Sequence, residues 1–141
     1  MKATASMGPQ GFRTTIRTGQ TRTHILVADE PAGKGDDAGP TPIEMLAGAL
    51  ASCVTLTLRS YANVKQIPID GVDVEVEIIR RKPTELRDGE RTMLVRKHVT
   101  IHGREISDEQ RERMLLVAEK CPVQRALLEG VELQAATAPI A

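Results

Sequence analysis

The sequence predicts an α+β domain with a long buried central helix packed on a mostly antiparallel sheet. Three observations carry this. An apolar run fills 42–58 behind a helix-start signal, Val72, Val74, Val76 and Ile78 alternate with acids, and a second helix-start signal opens at Ser107. The 141 residues are enough for one domain with a real core.

The elements follow in order. Residues 12–17 and 22–28 flank Thr18-Gly19-Gln20-Thr21 and read as an N-terminal hairpin, 12–28. Its second arm, from His24 to Ala28, is apolar enough for a sheet interior. Residues 29–41 are rich in glycine, proline and acids, the composition of a loop. The central helix, 42–62, starts with Thr41 as cap, Pro42 at the first helical position and Glu44 completing a capping box. No charge follows Glu44 until Arg59, so the helix has no face for water and is expected to be buried on every side. Its run from Ile43 to Leu58 is about 24 Å long, short of a membrane span, so no membrane partner is expected.

Strands at 71–80 and 91–102 come next, joined by a charged linker that suggests antiparallel pairing. Met93, Val95, Val99 and Ile101 line one face of the second strand, with Lys97 interrupting it. Ser107 and Gln110 form a second capping box for a helix over 108–120. Cys121 and Pro122 break that helix, 122–129 forms a short one stopped by Gly130, and 131–137 supplies a last strand.

Several function classes are disfavoured. Phe12 and Tyr61 are the only aromatic residues, so no stacking platform for bases exists. Nineteen basic and nineteen acidic side chains cancel, leaving no field to attract nucleic acid. The N-terminal residues lack the apolar run of a secretory signal, which makes a cytoplasmic location the expectation. His24, His98 and His102 have no ligand spacing to a cysteine, so no metal site is expected. Cys53, within the apolar helix, and Cys121 are the two cysteines. In a reducing compartment they are either inert buried thiols or a working redox pair.

Three stretches resemble one family: Gly39-Pro40-Thr41-Pro42-Ile43-Glu44-Met45-Leu46 with Ala49-Leu50-Ala51-Ser52-Cys53; Asp70-Gly71-Val72 entering an acidic strand; and Glu119-Lys120-Cys121-Pro122-Val123-Gln124-Arg125. Together they are similar to the OsmC/Ohr superfamily of osmotically induced and organic-hydroperoxide-resistance proteins, and nearer its OsmC-like subgroup. The resemblance implies an OsmC-like fold, an intertwined homodimer, and reduction of small organic peroxides without metal or organic cofactor. It also implies Cys53 as the attacking and Cys121 as the resolving thiol; the disulfide so formed is one that an external dithiol reductant can reduce. In the hydroperoxide reductases an arginine from an N-terminal glycine turn pairs with the thiolate; the matching turn here, Gly8-Pro9-Gln10-Gly11, has none. Arg13 and Arg17 are the nearby substitutes. The reductases' carboxylate position is taken by Ile43, with Glu44 one residue on, either orienting an arginine or acting only as capping-box partner.

The chemistry stands without the family. A thiolate displaces one peroxide oxygen from the other and becomes a sulfenic acid, which a second thiol condenses into a disulfide before overoxidation. A free thiol with pKa about 8.5 is only ~3% ionised at pH 7, and an apolar site lowers that fraction. A cation at about 4 Å, worth ~4 kcal/mol at an effective dielectric of ~20, suffices to offset it. At Cys121 the start of the short helix favours an anion, and Arg125 lies one turn on. The alternative is a non-catalytic binding module that encloses a small lipophilic molecule, with both cysteines passive.

Overall fold

The computed structural model describes residues 1–134. Its elements run β1 (Ala3–Met7), β2 (Thr14–Thr18), β3 (His24–Ala28), α1 (Pro42–Lys65), β4 (Gly71–Arg80), β5 (Met93–His102), α2 (Asp108–Ala118) and α3 (Pro122–Glu129), with a 3-10 turn at Pro83–Glu85. The α+β class is as expected, with antiparallel pairing and one long helix. The chain divides into two compact units, Met1–Gly48 with Glu77–Arg96, and Ala49–Val76 with the residues from Lys97 onward. Each is described separately.

The first unit contains a three-stranded antiparallel sheet of order β1-β2-β3. β1 is a strand the sequence did not predict. Its Ala-Thr-Ala-Ser-Met alternates mostly small apolar residues with hydroxyls, a weak strand signal, and is exposed throughout; pairing with β2, Ala3 opposite Thr18 and Met7 opposite Thr14, is what holds it extended. β3 is an edge strand rather than an interior one, and His24, Ile25 and Leu26 are exposed. The hairpin itself is narrower than 12–28, and Arg13 lies just ahead of β2.

The glycine-rich loop after β3 is ordered around Asp29, a charged residue only 3% exposed. Its carboxylate accepts from the amides of Glu30 at 2.8 Å and Ala38 at 3.1 Å, while the Asp29 amide donates to Pro40 O at 3.3 Å. A Cβ on Gly35 would lie 2.6 Å from Asp29 Oδ1, so the loop closes this tightly only with glycine there. Desolvation pushes the Asp29 pKa up, but the amides of Ala38, Glu30 and Asp36, with the charge of Arg13, outweigh it and hold the carboxyl below its ordinary value. Folding therefore lowers this pKa. Its contribution to stability is present above about pH 4, the unfolded value, and is lost as pH falls through the folded one. Melts of the parent and Asp29→Asn should differ most near neutral pH, with the parent higher, and converge on acidification. A gap independent of pH would contradict the assignment.

The second unit holds most of the buried apolar side chains. Leu50, Val54, Leu58 and Ala62 form a stripe along α1, joined by Ile67, Ile69, Ile101, Ile106, Met114, Ala118 and Cys121. Spacing of four keeps the stripe on one side of the helix. The expectation of a helix buried all round is corrected: Leu56 and Val64 are 67% and 78% exposed in the single chain. Hydroxyls on α1 satisfy themselves on its own backbone, Thr57 Oγ1 donating to Cys53 O and Thr55 Oγ1 to Ser52 O, both at 2.8 Å, which is how polar side chains sit in so apolar a helix.

At 24 residues α1 is also longer than the predicted 42–62, ending where Gln66 takes a positive φ of 53°. By length and composition it is sufficient to cross a bilayer, so shortness no longer argues against a membrane. Arg59 Nη1 donates to Ile69 O at 3.3 Å and ties the end of α1 to the segment before β4.

β4 and β5 form a two-stranded sheet. The bonds from Asp70 N to His102 O and from Arg81 N to Thr92 O, each 2.8 Å, mark its antiparallel ends. Ser107 caps α2 through the expected box with Gln110. The helix stops at Ala118, short of the predicted 120. Residues 131–134 are irregular rather than a last strand, and 135–137 of that prediction lie outside the described residues.

Candidate active site

Cys53 lies midway along α1, half-buried and beside Val54 of the buried stripe. Cys121 is fully buried and is the N-cap of α3, where Pro122 at the first helical position needs no hydrogen-bond partner for a missing N–H. Both belong to the second unit. Both are free thiols, and Cys53 lies near enough to Cys121 to raise its pKa. Residues far apart along the chain thus bring two sulfurs into one neighbourhood.

The electrostatics of Cys121 differ from the sequence expectation. Its sulfur does accept from the backbone amide of Gln124, at 3.4 Å, and Val123 adds a second amide, as a helix start provides. These amides favour the anion. Burial disfavours it more, and the nearby Cys53 adds to burial, so the Cys121 pKa is pushed above the ordinary thiol value. Cys121 therefore keeps its proton at neutral pH. Arg125 is turned to Glu129, at 3.1 Å, rather than adding its charge to this pair.

The remaining predicted residues lie in the first unit. Arg13 acts on Asp29, as described. Arg17 is exposed on β2, opposite Thr4 and Ile25. The Glu44 carboxylate takes the Thr41 amide at 2.7 Å and the Thr41 hydroxyl at 2.8 Å, while Glu44 N reaches Thr41 Oγ1 at 3.3 Å. These bonds hold its pKa below the usual carboxylate range. Of its two sequence readings, the capping box is the one the hydrogen bonds display.

One group of residues escaped sequence reasoning. Lys97, on the apolar face of β5 and only 13% exposed at its side chain, donates to Glu119 Oε1 at 2.9 Å and Gln124 Oε1 at 2.5 Å. Gln124 in turn donates from Nε2 to Glu119 Oε2 at 2.6 Å. Glu119 and Gln124 flank Cys121 in sequence. A charge interrupting an apolar strand face was the available signal, because a buried ammonium needs partners.

An α+β fold carrying two neighbouring thiols, one on a long apolar helix and one capping a short helix, defines a class of candidate dithiol proteins. Residues 33–136 match the family described as OsmC-like protein, and the chain belongs to that family. No curated protein matches the sequence. Solved structures share the fold. An OsmC-like protein of Mycoplasma pneumoniae is 24% identical, with TM-score 0.70 over 90% of this chain and 86% of that one. An OsmC-like protein of Vibrio cholerae is 18% identical, with TM-score 0.68 over 89% and 91%. The organic hydroperoxide resistance protein OsmC of Legionella pneumophila is 20% identical, with TM-score 0.60 over 89% and 87%.

Proposed function

We propose that this protein is a cofactor-free thiol peroxidase for organic hydroperoxides, working in a reducing cytoplasmic setting. The observation that carries the reading is that Cys53 and Cys121, 68 residues apart, belong to one packed unit and lie near enough for Cys53 to raise the Cys121 pKa. Family membership and the hydroperoxide-resistance name of the Legionella relative agree with it.

The half-buried sulfur attacks and the buried, protonated one waits. Cys53, as thiolate, attacks the terminal peroxide oxygen. The S–O bond forms, the O–O bond breaks, and the alkoxide takes a proton to leave as alcohol. Cys121 then loses its proton and attacks the sulfenic sulfur, expelling hydroxide as water and leaving a disulfide. An external dithiol restores both thiols by exchange. A protein interior suits an alkyl hydroperoxide, and a preformed pair of sulfurs makes the second step effectively unimolecular.

Homodimerisation belongs to the same proposal. Leu56 and Val64 on α1, and Leu127 and Leu128 on α3, are apolar and exposed in the single chain, the kind of surface a second copy covers.

The test is stopped-flow consumption of cumene hydroperoxide by the reduced protein. One peroxide should disappear for each pair of thiols, well above the buffer rate. Consumption at the buffer rate would end the proposal.

A further inference from the structure

We propose that Lys97 is a positioning residue whose ammonium joins the C-terminal end of α2 to the first turn of α3 and so holds Cys121 against Cys53. The inference rests on the dithiol reading above and adds a residue to it.

A lysine among Met93, Val95, Val99 and Ile101 is costly, because its charge leaves water for an apolar face. Here the ammonium is matched by three acceptors. Besides Glu119 and Gln124 it reaches Ala118 O, the last carbonyl of α2, at 3.4 Å. Ala118 and Glu119 precede Cys121, and Gln124 follows it. Gln124 closes the ring, since its Nε2 bonds Glu119 while its backbone N–H bonds Cys121 Sγ. The residue that Lys97 holds by its side chain is therefore the one whose main chain holds the sulfur. The same contacts with Lys97, then Gln124, keep the Glu119 carboxyl below its ordinary pKa, so that carboxylate stays ionised through neutral pH.

Fixing Cys121 raises the effective concentration of one thiol at the other, and the disulfide equilibrium reads that directly. In glutathione buffers the reduced protein and oxidised glutathione exchange to protein disulfide and two reduced glutathiones. Two protein sulfurs are oxidised, two glutathione sulfurs are reduced, and both protons pass to the glutathione thiolates. Alkylation and mass measurement give the constant.

Lys97→Met should lower it about tenfold, ~30 mV for this two-electron couple, and Lys97→Arg, which keeps charge and donors, should recover part of the loss. A Lys97→Met constant within about twofold of the parent overturns the inference, since a difference that small is under ~10 mV. Circular dichroism and melting of the reduced proteins establish that the variants fold. If Lys97→Met does not fold, Gln124→Ala bears the test, with a loss in the same direction expected and an unchanged constant contradicting the proposal. A parent inert to peroxide but with a measurable constant sinks the peroxidase reading and leaves this one standing. A parent that forms no Cys53–Cys121 disulfide in oxidised glutathione sinks the role of Lys97.

Discussion

Cys53→Ser should stop peroxide consumption, lowering the rate by several orders of magnitude, because a serine hydroxyl in the same place has no comparable nucleophilicity. Size is nearly conserved on a half-buried flank of α1, so the melting temperature should move little. Cys121→Ser should behave differently. Serine is a good N-cap and can accept the Gln124 amide that Cys121 Sγ now accepts, so α3 should persist. The variant should consume one equivalent of peroxide, hold a dimedone-reactive sulfenic acid on Cys53, and pass to the irreversible sulfinic acid with more peroxide. Stopped-flow traces with mass analysis separate the two phenotypes. Equal rates in Cys53→Ser and the parent would overturn the role assignment.

Leu58→Ala should cost about 3 kcal/mol, the ordinary consequence of a cavity at a fully buried position. Leu58 has no exposed surface, and it lies in the stripe with Val54 and Ala62. Against a total stability of about 5–15 kcal/mol that loss is large, and near this chain length it corresponds to roughly 10 °C in melting temperature. Denaturant melts of parent and variant at equal protein concentration measure it. A change below about 0.5 kcal/mol, the size of a surface substitution, would mean that the α1 stripe is not the packed core described above.

Local chemistry made much of the fold legible. Thr41 with Glu44, and Ser107 with Gln110, mark helix starts because their partners are three residues away. β4 announces itself by its alternation. β1 does not, because only a partner strand stabilises Ala3–Met7 and nothing within those residues records that partner. The burial of α1 was overdrawn for a related reason. An all-apolar helix says that its surface avoids water, yet not which part its own chain covers, and Leu56 and Val64 remain open.

The candidate site was legible only in its residue types. Cys53 and Cys121 were named, but their proximity is a property of tertiary packing, and sequence pointed to it through family resemblance. Lys97 stood out as a misfit on a strand face, while its partners Glu119 and Gln124 come from other elements. The rise in the Cys121 pKa was missed because a helix start argues for the anion, and only the folded chain shows burial and Cys53 outweighing it.

The most direct measurement is the mass of the reduced protein after one equivalent of cumene hydroperoxide, with peptides mapped under non-reducing conditions. The account predicts loss of two hydrogen atoms per chain and one Cys53–Cys121 cross-link, complete at stoichiometric peroxide. Two unmodified thiols beside unspent peroxide, or oxygen atoms gained on Cys53 while Cys121 stays free, would contradict it.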